Sequence, residues 1–297
     1  MSRISTSSLS NIRSLRASLS ASERAVADYV LANPQEASTS SMMDIAKAAG
    51  VSDATVLRFV RNIGFDGFNT FKVNLTAELL RPDYVFSDVV SPEDPTAAIA
   101  QKVLRTSTVL LQDTLNILDT SEVEAVVTAI RQASRVLIYA AGSSVPMASL
   151  LFDRIYRLGI PVTQHIDIYQ QLTQASLAKD GDLYIMISRS GGSKALAEEA
   201  AIIRETAPHA VICLLTCNAK APMIKYCDHV LLGASQDVHS DLTGSYVAIL
   251  SIIDVIYTCL ELSETEQALE RQRNAWKASA IMRPSKWKPS SDVSTHI

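Results

Sequence analysis

The stretch SMMDIAKAAGVSDATVLRFVRNIGFDGFNTFK, residues 41–72, sets the frame for the N-terminal part of the chain. Met42, Ile45, Ala46 and Ala49 recur at helical spacing behind Ser41, and Gly50 closes the segment. After the connection Gly50-Val51-Ser52, a second stripe of Val56, Phe59, Val60 and Ile63 runs to Gly64, and Phe68, Phe71, Leu75 and Leu79 make a third. Two short helices joined through a small-residue turn predict a helix-turn-helix, whose second helix lies in the major groove of DNA. With the apolar stripe in the core, Ser52, Asp53, Thr55, Arg58, Arg61 and Asn62 are left on the outer face. Arginine pairs bidentately with guanine, asparagine reads adenine, and hydroxyls hold base edges or phosphate. The same residues also suit an ordinary solvated helix face. Upstream, Ser20 and Glu23 form a capping-box pattern ahead of Val26, Tyr29 and Val30, and Asn33-Pro34 stops that helix, so four helices are expected in residues 1–80.

The chain has 297 residues, 47% hydrophobic and 20% charged, which predicts two globular domains. No apolar run has the length of a membrane span, and the N-terminus lacks the apolar core and cleavage site of a secretory signal, so a cytoplasmic location without membrane contact is expected. The net charge of -4 is unevenly spread. Residues 1–80 hold eight Lys and Arg against seven Asp and Glu, whereas the remainder is acidic, which assigns any nucleic-acid contact to the first part. The four cysteines, Cys213, Cys217, Cys227 and Cys259, include no C-x-x-C pair and read as buried, reduced thiols; no metal and no cofactor is expected.

Residues 81–95, with three prolines and four acids, read as a linker. Beyond it, helices over 96–117 and 121–132 lead into strand 136–141, and strands 161–166, 183–188, 210–216 and 229–233 then alternate with helices. This alternation predicts an α/β domain over 96–270, a doubly wound, five-stranded parallel sheet flanked by helices. The apolar helix 245–262 is expected across a sheet edge or in a subunit interface. Residues 271–297, with six basic residues and one acid, read as a tail. Two strand-to-helix loops have the chemistry to hold a phosphate: Ala141-Gly142-Ser143-Ser144 and Ser188-Arg189-Ser190-Gly191-Gly192-Ser193. Each offers backbone N–H groups and a helix N-terminus, and the serines add hydroxyls. Serines at such positions also serve simply as helix caps.

Two resemblances extend this reading. Residues 19–34, then 41–72 with S-x-ATV-x-RF and GF-x-GF-x-x-x-K, closely resemble the N-terminal domain of RpiR-type transcriptional regulators. The resemblance implies that Ser52, Thr55, Arg58 and Arg61 face DNA, that Gly64, Phe65, Gly67 and Phe68 form a docking turn, and that Lys72 reaches the phosphate backbone. The segments YAAGSS at 139–144 and ISRSGGSK at 187–194 resemble the sugar-isomerase (SIS) domain that accompanies it in these regulators. That resemblance implies a phosphosugar held at Gly142, Ser143, Ser144, Ser188, Ser190, Gly191 and Ser193. Ser193 stands where threonine is usual, and Tyr246 and Ile249 where polar side chains are frequent.

The expected function is a sequence-specific regulator of sugar metabolism genes, not an enzyme, that acts as a homodimer or homotetramer on a palindromic double-stranded operator under control of a phosphorylated sugar effector. The alternatives are a phosphosugar isomerase with an accessory helical domain and a SIS-domain interaction partner without DNA binding. Isomerisation needs an acid and a base, for which His165, Asp167, His239 and Asp241 are the candidates; surface or interface roles suit them better. Ser240 between His239 and Asp241 makes no triad, since neighbouring side chains do not converge.

Overall fold

The structure is a computed structural model that describes residues 8–16, 19–80, 90–235 and 245–262. The N-terminal body has six helices: α1 (Ser8–Leu15), α2 (Ala21–Ala32), α3 (Pro34–Thr39), α4 (Met42–Ala48), α5 (Asp53–Asn62) and α6 (Phe68–Leu79). Two of them go beyond the four expected. Leu9, Ile12 and Leu15 bury one face of α1, and Pro34, which ends α2, also opens α3, because proline at a first helical position forfeits no hydrogen bond. Capping boxes start α2 at Ser20 and Glu23 and α4 at Ser41 and Asp44, satisfying N–H groups that would otherwise lack partners. Gly50, at φ 67°, makes the left-handed turn between α4 and α5. Phe71 is the hub of the core, with the rings of Phe59 and Phe65 edge-on at 6.3 and 5.8 Å.

Polar side chains fix α1 to this body. The Leu9 N–H donates to the Glu78 carboxylate on α6 at 3.1 Å, which places negative charge at the α1 N-terminus. Asn11 Nδ2 donates to the Ile63 carbonyl at the end of α5, also at 3.1 Å. Arg13 makes a buried ion pair with Asp113 of α7 (Thr96–Ile117), so α1 joins the two bodies. Residues 81–89 of the expected linker and all of the expected tail lie outside the described residues.

The second body continues with α8 (Thr120–Gln132), β1 (Arg135–Ala140), α9 (Val145–Arg157), β2 (Val162–Gln164), α10 (Ile168–Ala175), β3 (Asp182–Ile187), α11 (Lys194–Thr206), β4 (Val211–Thr216), β5 (His229–Leu232) and α12 (Ser245–Leu262). The five strands are parallel in the order β2-β1-β3-β4-β5, so the direction of winding reverses between β1 and β3. Central strands buried on both faces account for the unbroken apolar runs of β1, β3 and β4. One face packs on α8, α9 and α12, the other on α10 and α11. Within the chain, α12 packs on α7, α8, α9 and the sheet: Ile252, Ile253 and Ile256 are buried in that core, while Val255 is exposed. Cys213 and Cys217 are buried as expected and Cys227 is half-buried, but Cys259 faces outward on α12.

Under α10 and α11 the apolar packing contains polar groups. Tyr139 and Tyr184 meet edge-to-face at 5.4 Å, and Glu199 of α11 is fully buried with neither carboxylate oxygen hydrogen-bonded. Burial pushes its pKa up to about 8, against 4.5 for an exposed glutamate. A raised folded-state value means that the folded protein holds a proton that the unfolded chain releases. The contribution of Glu199 to stability is therefore full below pH 4.5 and is lost as the pH rises toward 8. The expected slope is about 1.4 kcal/mol per pH unit in that window. Urea titrations across it should show this decline in the wild type and a flatter profile in Glu199→Gln; an unchanged profile in the variant would assign the decline to other groups.

Candidate DNA-binding face and effector loops

On α5 the structure exposes Ser52, Arg58, Arg61 and Asn62 and half-buries Asp53. Thr55 departs from the expected outer face. It is only 9% exposed, and its hydroxyl pairs with that of Ser52 at 3.0 Å, because the position falls beside Phe59 on the helical wheel and inside the N-terminal turn that Ser52 caps. Lys72 is half-buried, with Nζ donating to the Thr39 carbonyl at 3.1 Å and lying 5.9 Å from the Phe68 ring centre. Phe65 sits in the core and Phe68 at its margin, docking α6 on α5.

Glu23 is the residue that sequence reasoning assigned only half its role. Besides capping α2, its Oε1 accepts from Arg58 Nε at 3.1 Å and from Asn62 Nδ2 at 2.6 Å. Burial by itself raises its pKa, but the hydrogen bonds from Ser20 and Arg58 outweigh that and hold the carboxyl below the usual glutamate range. The ionised carboxylate thus fixes Arg58 by one nitrogen, while the side chain stays 59% exposed. A separation of 35 and 39 residues leaves no local pattern by which sequence could reveal this link.

The two glycine-serine loops follow β1 and β3, on either side of the winding reversal, where ligands of such sheets bind. In the first, Gly142 adopts φ 56° and opens a 3-10 turn over Gly142–Ser144 that runs into α9, whose N-terminus has no side-chain cap. Ser143 is exposed. Ser144 is buried, and its hydroxyl accepts from the Arg189 N–H at 3.4 Å, linking the loops. In the second, Ser188 is buried, while Ser190 and Ser193 are half-buried, each hydroxyl accepting a backbone N–H at 3.4 Å, from Gly192 and from Leu196. Ser193 is thus the α11 cap as well as a candidate ligand group. The Arg189 guanidinium, buried beside them, lies 5.4 Å from the Tyr246 ring of α12.

Gly191 is buried at φ 66°, and a Cβ there would stand 2.3 Å from that of Ala221. Only glycine fits both the backbone conformation and the contact.

Of the acid-base candidates, Asp167 caps α10 by accepting the Gln170 N–H at 3.0 Å, and His165 borders an open groove along α10; His239 and Asp241 lie outside the described residues. Among the described residues no group of three or more His, Cys, Asp and Glu is placed to hold a metal ion, and no helix is long and apolar enough to cross a membrane.

A helix-turn-helix body joined to a parallel α/β body with paired glycine-serine loops defines a two-domain, SIS-type regulator. The sequence profile of the helix-turn-helix domain of the rpiR family matches residues 6–82, and that of the SIS domain matches residues 129–259. A helix-turn-helix transcriptional regulator of Haemophilus influenzae is 31% identical over 89% of this chain and 93% of its own length. The regulator HexR of Escherichia coli is 30% identical over 91% and 94%. The chain belongs to the RpiR family of helix-turn-helix transcriptional regulators. Among solved structures, the Vibrio vulnificus NanR protein complexed with ManNAc-6P superposes with a TM-score of 0.58 at 23% identity, covering 93% of this chain and 99% of that one. The sugar isomerase domain of an RpiR transcription factor from Sphaerobacter thermophilus does so at 0.55 and 23%, covering 60% and 98%. Both share the fold.

Gly191→Ala should cost about 1–3 kcal/mol of stability through strain and collision, and should displace residues 218–221. Urea denaturation checks the first effect and amide exchange the second; a variant as stable as the wild type would show that the loop stack yields easily.

Proposed function

We propose that this regulator binds a palindromic double-stranded operator through α5 of paired subunits, under the control of a sugar phosphate bound by the loops after β1 and β3. The chain then divides into a DNA-binding domain over 1–80, a linker over 81–95 and a sensing domain over 96–270. The observation that carries this reading is the pair of loops at the β1/β3 reversal, tied to each other by Ser144 and Arg189, within a chain that also holds a helix-turn-helix. Backbone N–H groups, hydroxyls and a helix N-terminus suit a phosphate dianion, and the related NanR fold is known with ManNAc-6P bound. Phosphosugar-binding SIS folds also serve isomerases, but the regulators named above match this chain over nearly its full length, and the reading is of a sensor, not an enzyme.

On the DNA side the proposal gives base readout to Arg58 and Asn62, held by Glu23, with Ser52, Asp53 and Arg61 beside them and Lys72 on phosphate. Thr55 acts beneath the surface, through its bond to Ser52. One such helix covers too little DNA for tight specificity, which argues for two or four copies. The surface proposed for pairing is on α7, where Leu104, Leu111 and Leu115 are exposed along one side, since α12 spends its apolar face internally.

Selection from random DNA followed by anisotropy titration tests the first half. Arg58→Ala should lose about 1–3 kcal/mol of affinity and relax preference at one base position. Unchanged specificity would remove Arg58 from the readout. For the second half, Ser143→Ala and Ser190→Ala should each weaken binding of a hexose 6-phosphate by about 1.5–3 kcal/mol in calorimetry, with the unphosphorylated hexose binding neither protein. Equal binding by wild type and variants would place the effector elsewhere.

A further inference from the structure

The second effector loop leans on the segment that follows β4, and that segment in turn touches the DNA-binding body. The backbone carbonyl of Arg189 accepts from the Cys217 N–H at 2.8 Å and from Thr216 Oγ1 at 3.3 Å. Asn218 binds in both directions: its Nδ2 donates to the Ser190 carbonyl at 3.0 Å, and its Oδ1 accepts from the Lys220 N–H at 3.0 Å. The Ala221 N–H closes the turn on the Asn218 carbonyl at 3.1 Å. Gly191 completes the stack, since its α-carbon has no space for a substituent between Ala221 and Asn218. The neighbouring residue, Ala219, is half-buried against the apolar core of the helix-turn-helix body.

The bodies meet at a second place, the buried Arg13–Asp113 pair between α1 and α7. The next residue on α7, Thr114, accepts the Ala234 N–H just beyond β5 at 3.1 Å, which anchors this contact to the sheet. One contact is thus fixed to the sheet through a long helix, and the other rides on a turn packed against the effector loop.

We propose that residues 217–221 are the in-chain relay of the effector signal: closure of loop 188–193 on a phosphate moves the Asn218–Ala221 turn, and Ala219 tilts the helix-turn-helix body about the Arg13–Asp113 pair. Close packing carries the first step, because the approach of Gly191 to Ala221 and Asn218 leaves no room for the loop to move without the turn. The relay rests on the effector reading above. It makes the sensing and DNA-binding ends of one chain direct neighbours, in addition to any rearrangement between subunits.

Hydrogen–deuterium exchange on the full-length protein tests it, with fructose 6-phosphate, glucosamine 6-phosphate, N-acetylmannosamine 6-phosphate and inorganic phosphate as probes. In the wild type, the probe that protects 188–193 should also alter exchange over 217–221 and over 8–15. In Ala219→Gly, which removes the methyl group that meets the helical core, protection of 188–193 should persist and the response over 8–15 should fall several-fold. Asn218→Ala, whose folding is checked by thermal melting, should likewise lose the response over 8–15. An undiminished response over 8–15 in both variants overturns the relay, as does wild-type protection of 188–193 without any change over 217–221. Absence of protection at 188–193 with every probe overturns the effector reading itself, and the relay with it.

Discussion

The close approach of Gly191 to Ala221 is the constraint on which the effector end of this protein depends. A backbone φ of 66° and a contact that excludes any side chain pin the loop after β3 to the turn after β4. Parallel strand order supplies the rest of the arrangement. Because winding reverses between β1 and β3, the loops that follow those strands lie side by side at the carboxyl end of the sheet, and Ser144 bridges them. On the proposed reading, hydroxyls, N–H groups and the α9 N-terminus, with the buried Arg189 beside them, would hold an anion in a domain of acidic composition.

At the DNA-binding end the same economy of contacts appears. A single buried carboxylate, Glu23, caps α2 and orients two side chains of α5. On the proposed readout, an arginine held at Nε has fewer rotamers to surrender when it meets a base, so the bond to Glu23 would prepare the helix for contact. The α1 helix couples this end to the sensor. Glu78 holds its N-terminus, Ile63 accepts from Asn11, and Asp113 pairs with Arg13, so it is tied to both bodies.

The parts legible in sequence were those with strong periodicity. Central parallel strands read as apolar runs because both faces are covered, and α4, α5 and α6 read as stripes at helical spacing. The α1 and α3 helices are short and carry no long apolar stripe, and tertiary packing of Leu9, Ile12 and Ala37 makes them helical. Thr55 lies one turn before Phe59 on the buried stripe, and its polar hydroxyl, satisfied by Ser52, is what made it read as an outer-face residue. The apolar surface of α12 reads identically whether it covers a sheet or a second subunit, and the structure adds that Ile252, Ile253 and Ile256 pack within the chain. Glu23 with Arg58, Arg13 with Asp113, and Ala219 with the helical core join positions far apart in the chain, which no spacing rule reaches.

If the effector crevice and α5 bias one equilibrium, their coupling must be reciprocal: the factor by which a ligand changes operator affinity equals the factor by which operator changes ligand affinity. Calorimetric titration of a binding hexose 6-phosphate into the free protein and into its operator complex measures this most directly. The account predicts two different phosphosugar affinities, whose ratio matches the change in operator affinity measured separately with saturating phosphosugar. Identical affinities in the presence and absence of operator would contradict it.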